Sequence, residues 1–207
     1  MSRVSILFIK VMNPVSFPQI RNITVSGRIA SGQTTLAKSL SQILQWEFWE
    51  GGALTEEYFK KVLVNDDEID VDARPDSHEV WMDELIKKML RERDCQIIQS
   101  NLAGFDAQGI DGVFKILTVC EDKNGVDQKR IRVDRLMNRK GVSAIDAKRN
   151  VIERERKNRD KWSRLYVEND PEWVYWDRKY YDLVINTYFM NKEESVSEAL
   201  RVIGYQL

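Results

Sequence analysis

The sequence predicts an α/β fold of three layers, a parallel sheet flanked by helices, and three observations predict it. Short β-branched apolar runs recur along the chain, amphipathic stripes alternate with them, and a glycine-rich loop joins the first run to the first stripe. Strands that alternate with helices pair in parallel through right-handed crossovers.

Four runs read as buried strands: Ile23–Val25, Gln96–Ile98, Phe114–Val119 and Asp182–Ile185. Between or after them lie helical stripes: Leu36, Leu40, Ile43 and Leu44 form one, and Trp81, Leu85 and Met89 a second. The last helix opens with Asn191 and Glu194 at capping-box spacing, followed by Val196, Ala199, Leu200 and Ile203 on one face. Two stretches interrupt the rhythm. Residues 47–72 hold nine acids and two lysines, a formal charge of -7, and residues 148–161 hold seven basic residues against three acids. Both are expected as mobile inserts over the carboxyl edge of the sheet, where open α/β sheets bind ligands.

Composition narrows the function. A chain of 207 residues suits one domain with inserted subdomains, expected over residues 21–207. Residues 1–20 are an N-terminal extension, either an extra strand or an added tail; the apolar run Val4–Met12 is too short for a membrane span. A net charge of -1 exerts no general pull toward nucleic acid or membrane. Cys95 and Cys120 lack metal spacing and read as reduced cytosolic thiols. His78 is the only histidine, which excludes a multi-histidine metal site; it is expected at the solvated surface.

The strongest local signal is Gly27-Arg28-Ile29-Ala30-Ser31-Gly32-Gln33-Thr34-Thr35, placed between a predicted strand and a predicted helix. Such a loop turns successive N–H groups onto phosphates, and the helix dipole adds positive charge there. Gly27 and Gly32 allow the curl, while Ala30, Ser31, Gln33, Thr34 and Thr35 complete the nucleotide contacts. The Thr34 hydroxyl is placed to ligate Mg²⁺. Gln33 stands where a phosphate-binding lysine is usual and brings a donor without a charge.

From Ile23 onward the chain resembles the short, archaeal-type cytidylate kinases, a branch of the P-loop nucleoside monophosphate kinases. The resemblance is carried by that loop, by Ile97–Phe105 against a family segment reading apolar-apolar-Glu-Gly-Arg-Leu-Ala-Gly-Trp, and by Arg132, Arg135 and Arg139 on an arginine-rich helix. Ile152-Glu153-Arg154-Glu155, Tyr166 and Asp170, and Tyr181–Thr187 continue it in order. It implies a P-loop NTPase fold with an acceptor insert near residues 47–94 and a lid near 125–170. It also implies ATP with Mg²⁺, phosphoryl transfer to CMP or dCMP, and a cytoplasmic monomer acting on small-molecule nucleotides. Catalytic cations are then Arg135, Arg139, Arg154 and Lys161, and acceptor contacts come from Gly52, Asp83, Asn101 and Gly104.

The helical spacing supports the lid independently: Arg132, Arg135 and Arg139 share one face, and Arg154, Asn158 and Lys161 share another. Ser143 and Asp146 are placed to cap the next helix. Trp162, Trp173 and Trp176 either pack the lid's return or stack on a base. Two acceptor cations of the family pattern are replaced, one by Glu56 and one by Asn101. Three readings therefore stay open: a CMP or dCMP kinase with rearranged acceptor contacts, a kinase of a less anionic acceptor, and a nucleotide-binding homologue with little catalysis.

Overall fold

A computed structural model describes residues 14–55 and 75–206, the side chains of Arg139 and Lys140 excepted. Val4–Met12, Glu56 and most of the acidic 47–72 stretch lie outside the described residues, as does the Arg139 side chain. Five parallel strands form one sheet: β1 (Asn22–Gly27), β2 (Glu47–Glu50), β3 (Gln96–Gln99), β4 (Val113–Val119) and β5 (Leu183–Asn186), in the order β2-β3-β1-β4-β5. β1 is buried throughout and pairs with both β3 and β4, Val25 lying opposite Gln99 on one side and Ile116 on the other. The chain leaves β1 at the point where the strand order reverses, so its carboxyl end opens a crevice.

Helix α1 (Gln33–Leu44) follows β1, and α2 (Asp76–Glu92) and α3 (Ala103–Asp106) flank β3. The segment expected from the sequence as a lid holds α4 (Lys129–Lys140), α5 (Ala144–Lys148), a π-helical segment (Arg149–Arg154) and α6 (Glu155–Tyr166), and α7 (Lys192–Val202) follows β5. One face of the sheet buries Ile23, Val25 and Ile116 against Leu36 and Leu40 of α1 and Leu200 of α7. The other sets Ile98 against Ile86 and Leu90 of α2 and Ala103 of α3. Asn191 caps α7 through a full capping box, and Ser143 accepts the Asp146 amide N–H at the start of α5.

The structure differs from the sequence reading at four points. Glu47–Glu50, read as the start of an insert, is edge strand β2, paired with β3 through Phe48 and Trp49. The buried stripe of α2 is Met82, Ile86, Met89 and Leu90, one residue along from Trp81 and Leu85, because Asp83 and Glu79 turn inward as well. His78 is 1% exposed, inside α2, rather than solvated. Residues 15–17 pack on the domain: the Val15 N–H donates to Leu44 O, and Trp46 donates its indole N–H to Val15 O beside Phe17. Trp162 and Trp173 are buried with Leu102 and Tyr175, the packing alternative for the lid aromatics. Among the described residues no helix is long and apolar enough to cross a membrane.

Candidate active site

The loop between β1 and α1 takes its shape from a few tight contacts. A Cβ on Gly27 would lie 2.4 Å from Thr118 Oγ1 and 2.6 Å from the Thr118 carbonyl, so only glycine fits there. Ala30 and Gly32 are left-handed, at φ 62° and 106°. Ser31 is buried, its hydroxyl 2.7 Å from that of Thr118. Gly32 is the N-cap of α1 and supplies no side-chain cap, so the first-turn amides remain open to an anion.

Ala30, Gly32, Gln33, Thr34 and Thr35 line a cavity of about 910 Å³ that continues to the far side of the crevice, past Gly52, Thr55, Asp83 and Asn101. The loop and the opposite wall thus share one space. Its described cations come from three elements: Arg135 on α4, Arg154 at the end of the π-helical segment, and Lys192 at the start of α7. Arg135 is held against the loop by Thr187, donating from Nη1 to the hydroxyl at 2.8 Å and from Nη2 to the carbonyl at 2.6 Å. The Thr187 hydroxyl in turn donates to Ser31 O at 2.8 Å. Arg154 donates to Asn150 at 3.2 Å.

The wall opposite the loop is acidic. Glu79 accepts from the Trp162 indole N–H at 2.9 Å and from Lys161 Nζ at 3.1 Å, with His78 Nδ1 at 3.6 Å. Burial alone would raise its pKa, yet hydrogen bonds from His78, Trp162 and Lys161 hold it at about 2. One turn on, burial pushes Asp83 up to about 6 although the Tyr166 hydroxyl donates to it. Behind it Asp106 is pushed well above its ordinary value by burial and by the facing Asp83 charge.

No family model matches the chain. The cytidylate kinase of Haloarcula marismortui is 30% identical over 192 residues, 87% of this chain and 88% of that protein. The chain belongs to the cytidylate kinase family. The cytidylate kinase of Thermoplasma volcanium is 27% identical over 176 residues, 83% of this chain and 85% of that protein. Among solved structures, a shikimate kinase from Acinetobacter baumannii shares the P-loop kinase fold, with a TM-score of 0.55, 16% identity, and coverage of 89% of this chain and 93% of that one.

Within this cytidylate kinase homologue, most residues singled out from the sequence line the cavity; Gly27, Ser31, Gly104 and Lys161 do not, and the Arg139 side chain lies outside the described residues. Gly104 lies off the wall: its N–H donates to Ser26 Oγ, and a Cβ would sit 2.3 Å from the Tyr181 ring. Lys161 faces Glu79 rather than the phosphate loop. Arg132, read with the lid arginines, is fully buried in ion pairs with Asp127 and Glu155. Burial would lower its pKa, but those partners outweigh burial and raise it.

Sequence reasoning missed His78 and Glu79 on the wall, Thr187 behind Arg135, and Gln99, whose side-chain oxygen accepts the Thr34 hydroxyl at 3.2 Å. Gln99 lay inside the Ile97–Phe105 motif, where its place at the end of a strand beside the loop was the available signal.

Proposed function

We propose that the chain transfers the γ-phosphoryl group of ATP to a nucleoside monophosphate, with CMP and dCMP the first candidates. One observation carries the reading: the phosphate loop and the acceptor wall open onto a single cavity with Arg135 and Arg154 on it. In the transfer, an acceptor phosphate oxygen bonds to the γ-phosphorus as the bond to the β–γ bridging oxygen breaks, releasing ADP. The charge spread over the transferred group calls for cations in a site from which water is displaced. Arg135 is pre-oriented for that by Thr187, and Arg154 approaches from the lid.

Mg²⁺ fits the loop chemically. The Thr34 hydroxyl and Gln99 Oε1 are hard, neutral oxygens at the base of the cavity, and Mg²⁺ completes such a set with water and phosphate oxygens. When bound, the ion would neutralise phosphate charge that no lysine at position 33 offsets.

A second reading is favoured by the wall itself. Its described residues include Glu50, Glu79 and Asp83, and no lysine or arginine comes from β2, α2 or the segment after β3. That suits an acceptor with less negative charge, such as a nucleoside. An acceptor screen read by ADP release decides between them. Release stimulated by CMP or dCMP supports the first reading, and release stimulated only by uncharged acceptors supports the second. ATP binding without release on any acceptor would overturn both and leave a nucleotide-binding homologue.

A further inference from the structure

The phosphate loop is anchored from behind by four charged side chains that do not line the cavity. Arg28, inside the loop, places Nη2 2.5 Å from Glu155 Oε1 and Nη1 3.3 Å from Asp127 Oδ2. Arg132 of α4 binds the same two acids, at 2.8 Å to Glu155 Oε2 and 2.7 Å to Asp127 Oδ2. The four side chains are 13%, 6%, 0% and 12% exposed for Arg28, Glu155, Arg132 and Asp127, so two cations and two anions balance in a nearly dry setting. A buried pair of this kind becomes strongly unfavourable when one partner is removed.

The network grips the loop twice. Arg28 holds it by a side chain that also lies over the Trp176 ring, 4.3 Å from its centroid. Arg132 holds it by the main chain, donating from Nη1 to the Ile29 carbonyl at 2.7 Å. The next residue is Ala30 at φ 62°, a conformation an alanine keeps only when its surroundings impose it. Glu155 joins the two grips, one oxygen on Arg28 and the other on Arg132, and it is the first residue of lid helix α6.

We infer that Glu155 is a positioning residue of the phosphate loop: through Arg28 and Arg132 it holds residues 28–30 in the shape that presents the loop amides to a nucleotide. The inference deepens the kinase reading and rests on it for the identity of the ligand. It does not rest on it for the loop's rigidity.

The test compares the wild-type protein with Glu155→Gln and Arg28→Met. Amide hydrogen exchange is measured without ligand, and the Michaelis constants for ATP and for CMP are measured at a temperature where each variant is folded. In both variants exchange of the 28–33 segment should quicken about tenfold while β4 stays protected. KM for ATP should rise about tenfold with KM for CMP little changed. Arg28→Met leaves the Glu155–Arg132 pair in place and so decides the matter if Glu155→Gln fails to fold. A lower melting temperature with unchanged loop exchange and unchanged KM for ATP would overturn the inference and leave the network a purely structural role. If the wild-type protein binds no ATP analogue, the kinase reading fails, and loop exchange alone still decides the role of Glu155.

Discussion

Gln33 donates its side-chain amide to Asn101 Oδ1 at 2.9 Å, joining the position of the usual phosphate-loop lysine to that of an acceptor arginine in the family pattern. Both charges are absent, and the two amides that replace them are partners. The other end of Gln33, Oε1, is buried without a hydrogen-bond partner among the described residues.

This pairing predicts coupled effects. A charge-assisted hydrogen bond to phosphate contributes about 1.5–3 kcal/mol, so Asn101→Arg should lower KM for CMP by roughly tenfold or more. Gln33→Lys keeps a donor toward Asn101 and should leave ATP turnover intact or raise it. The double variant should depart from the product of the single effects, because the two positions touch. Steady-state kinetics on the four proteins checks this. Tight CMP binding by the wild type, or damage from Asn101→Arg, would show that other groups hold the acceptor phosphate.

Thr34 offers a narrower test. Thr34→Val preserves shape and removes the hydroxyl that Gln99 accepts. The Mg²⁺ concentration for half-maximal activity should rise about 10–100-fold, as expected for loss of a ligand or its support, while the buried Gln99 oxygen left without its donor lowers the melting temperature modestly. An unaltered Mg²⁺ dependence would remove Thr34 from the metal site.

The phosphate loop was legible because its information is local: nine consecutive residues specify the turn, its glycines and the helix start. Four strands were legible from their β-branched runs. Strand β2 was not, since Glu47-Phe48-Trp49-Glu50 is short, sits at the sheet edge and is bracketed by acids that resemble the solvated stretch after it. The α2 stripe slipped by one residue because burial there includes charges. Glu79 and Asp83 face inward only because Trp162, Lys161 and Tyr166 arrive from α6, more than 80 residues away. Arg28 and Glu155 are 127 residues apart, and no local pattern announces their pairing.

Gly104 separates a structural role from an acceptor role. Its backbone N–H is occupied by Ser26, and an added methyl group would press into the Tyr181 ring, whose own hydroxyl is tied to Tyr175 O at 2.6 Å. Overpacking of this kind costs about 1–3 kcal/mol. Gly104→Ala should therefore lower thermal stability, and the folded enzyme should keep its KM for the acceptor. A raised acceptor KM at unchanged stability would return Gly104 to the binding site.

Glu79 and Asp83 lie one turn apart on α2 and are displaced in opposite directions, which gives the protein a characteristic response to pH. Glu79 has its folded pKa, about 2, below its ordinary 4.5, so its stabilisation is complete above pH 4.5 and is lost as pH falls from there toward 2. Asp83 has its folded pKa, about 6, above its ordinary 3.8, so the folded state binds the extra proton; that stabilisation is complete below pH 3.8 and is lost as pH rises through 6. Each displacement corresponds to about 3 kcal/mol. Asp83→Asn mimics the protonated carboxyl and stays neutral, so it should match the wild type near pH 4 and exceed it by up to about 3 kcal/mol at pH 7. Glu79→Gln should do the reverse, losing most at pH 7 and drawing closer to the wild type as pH falls from 4.5 toward 2, where the folded-state carboxyl begins to take up its proton. Urea unfolding of the three proteins across pH 3–7 measures these differences. Parallel stability curves for wild type and Asp83→Asn would mean that Asp83 is solvated in the folded protein and that Tyr166 does not hold it beneath the lid helix.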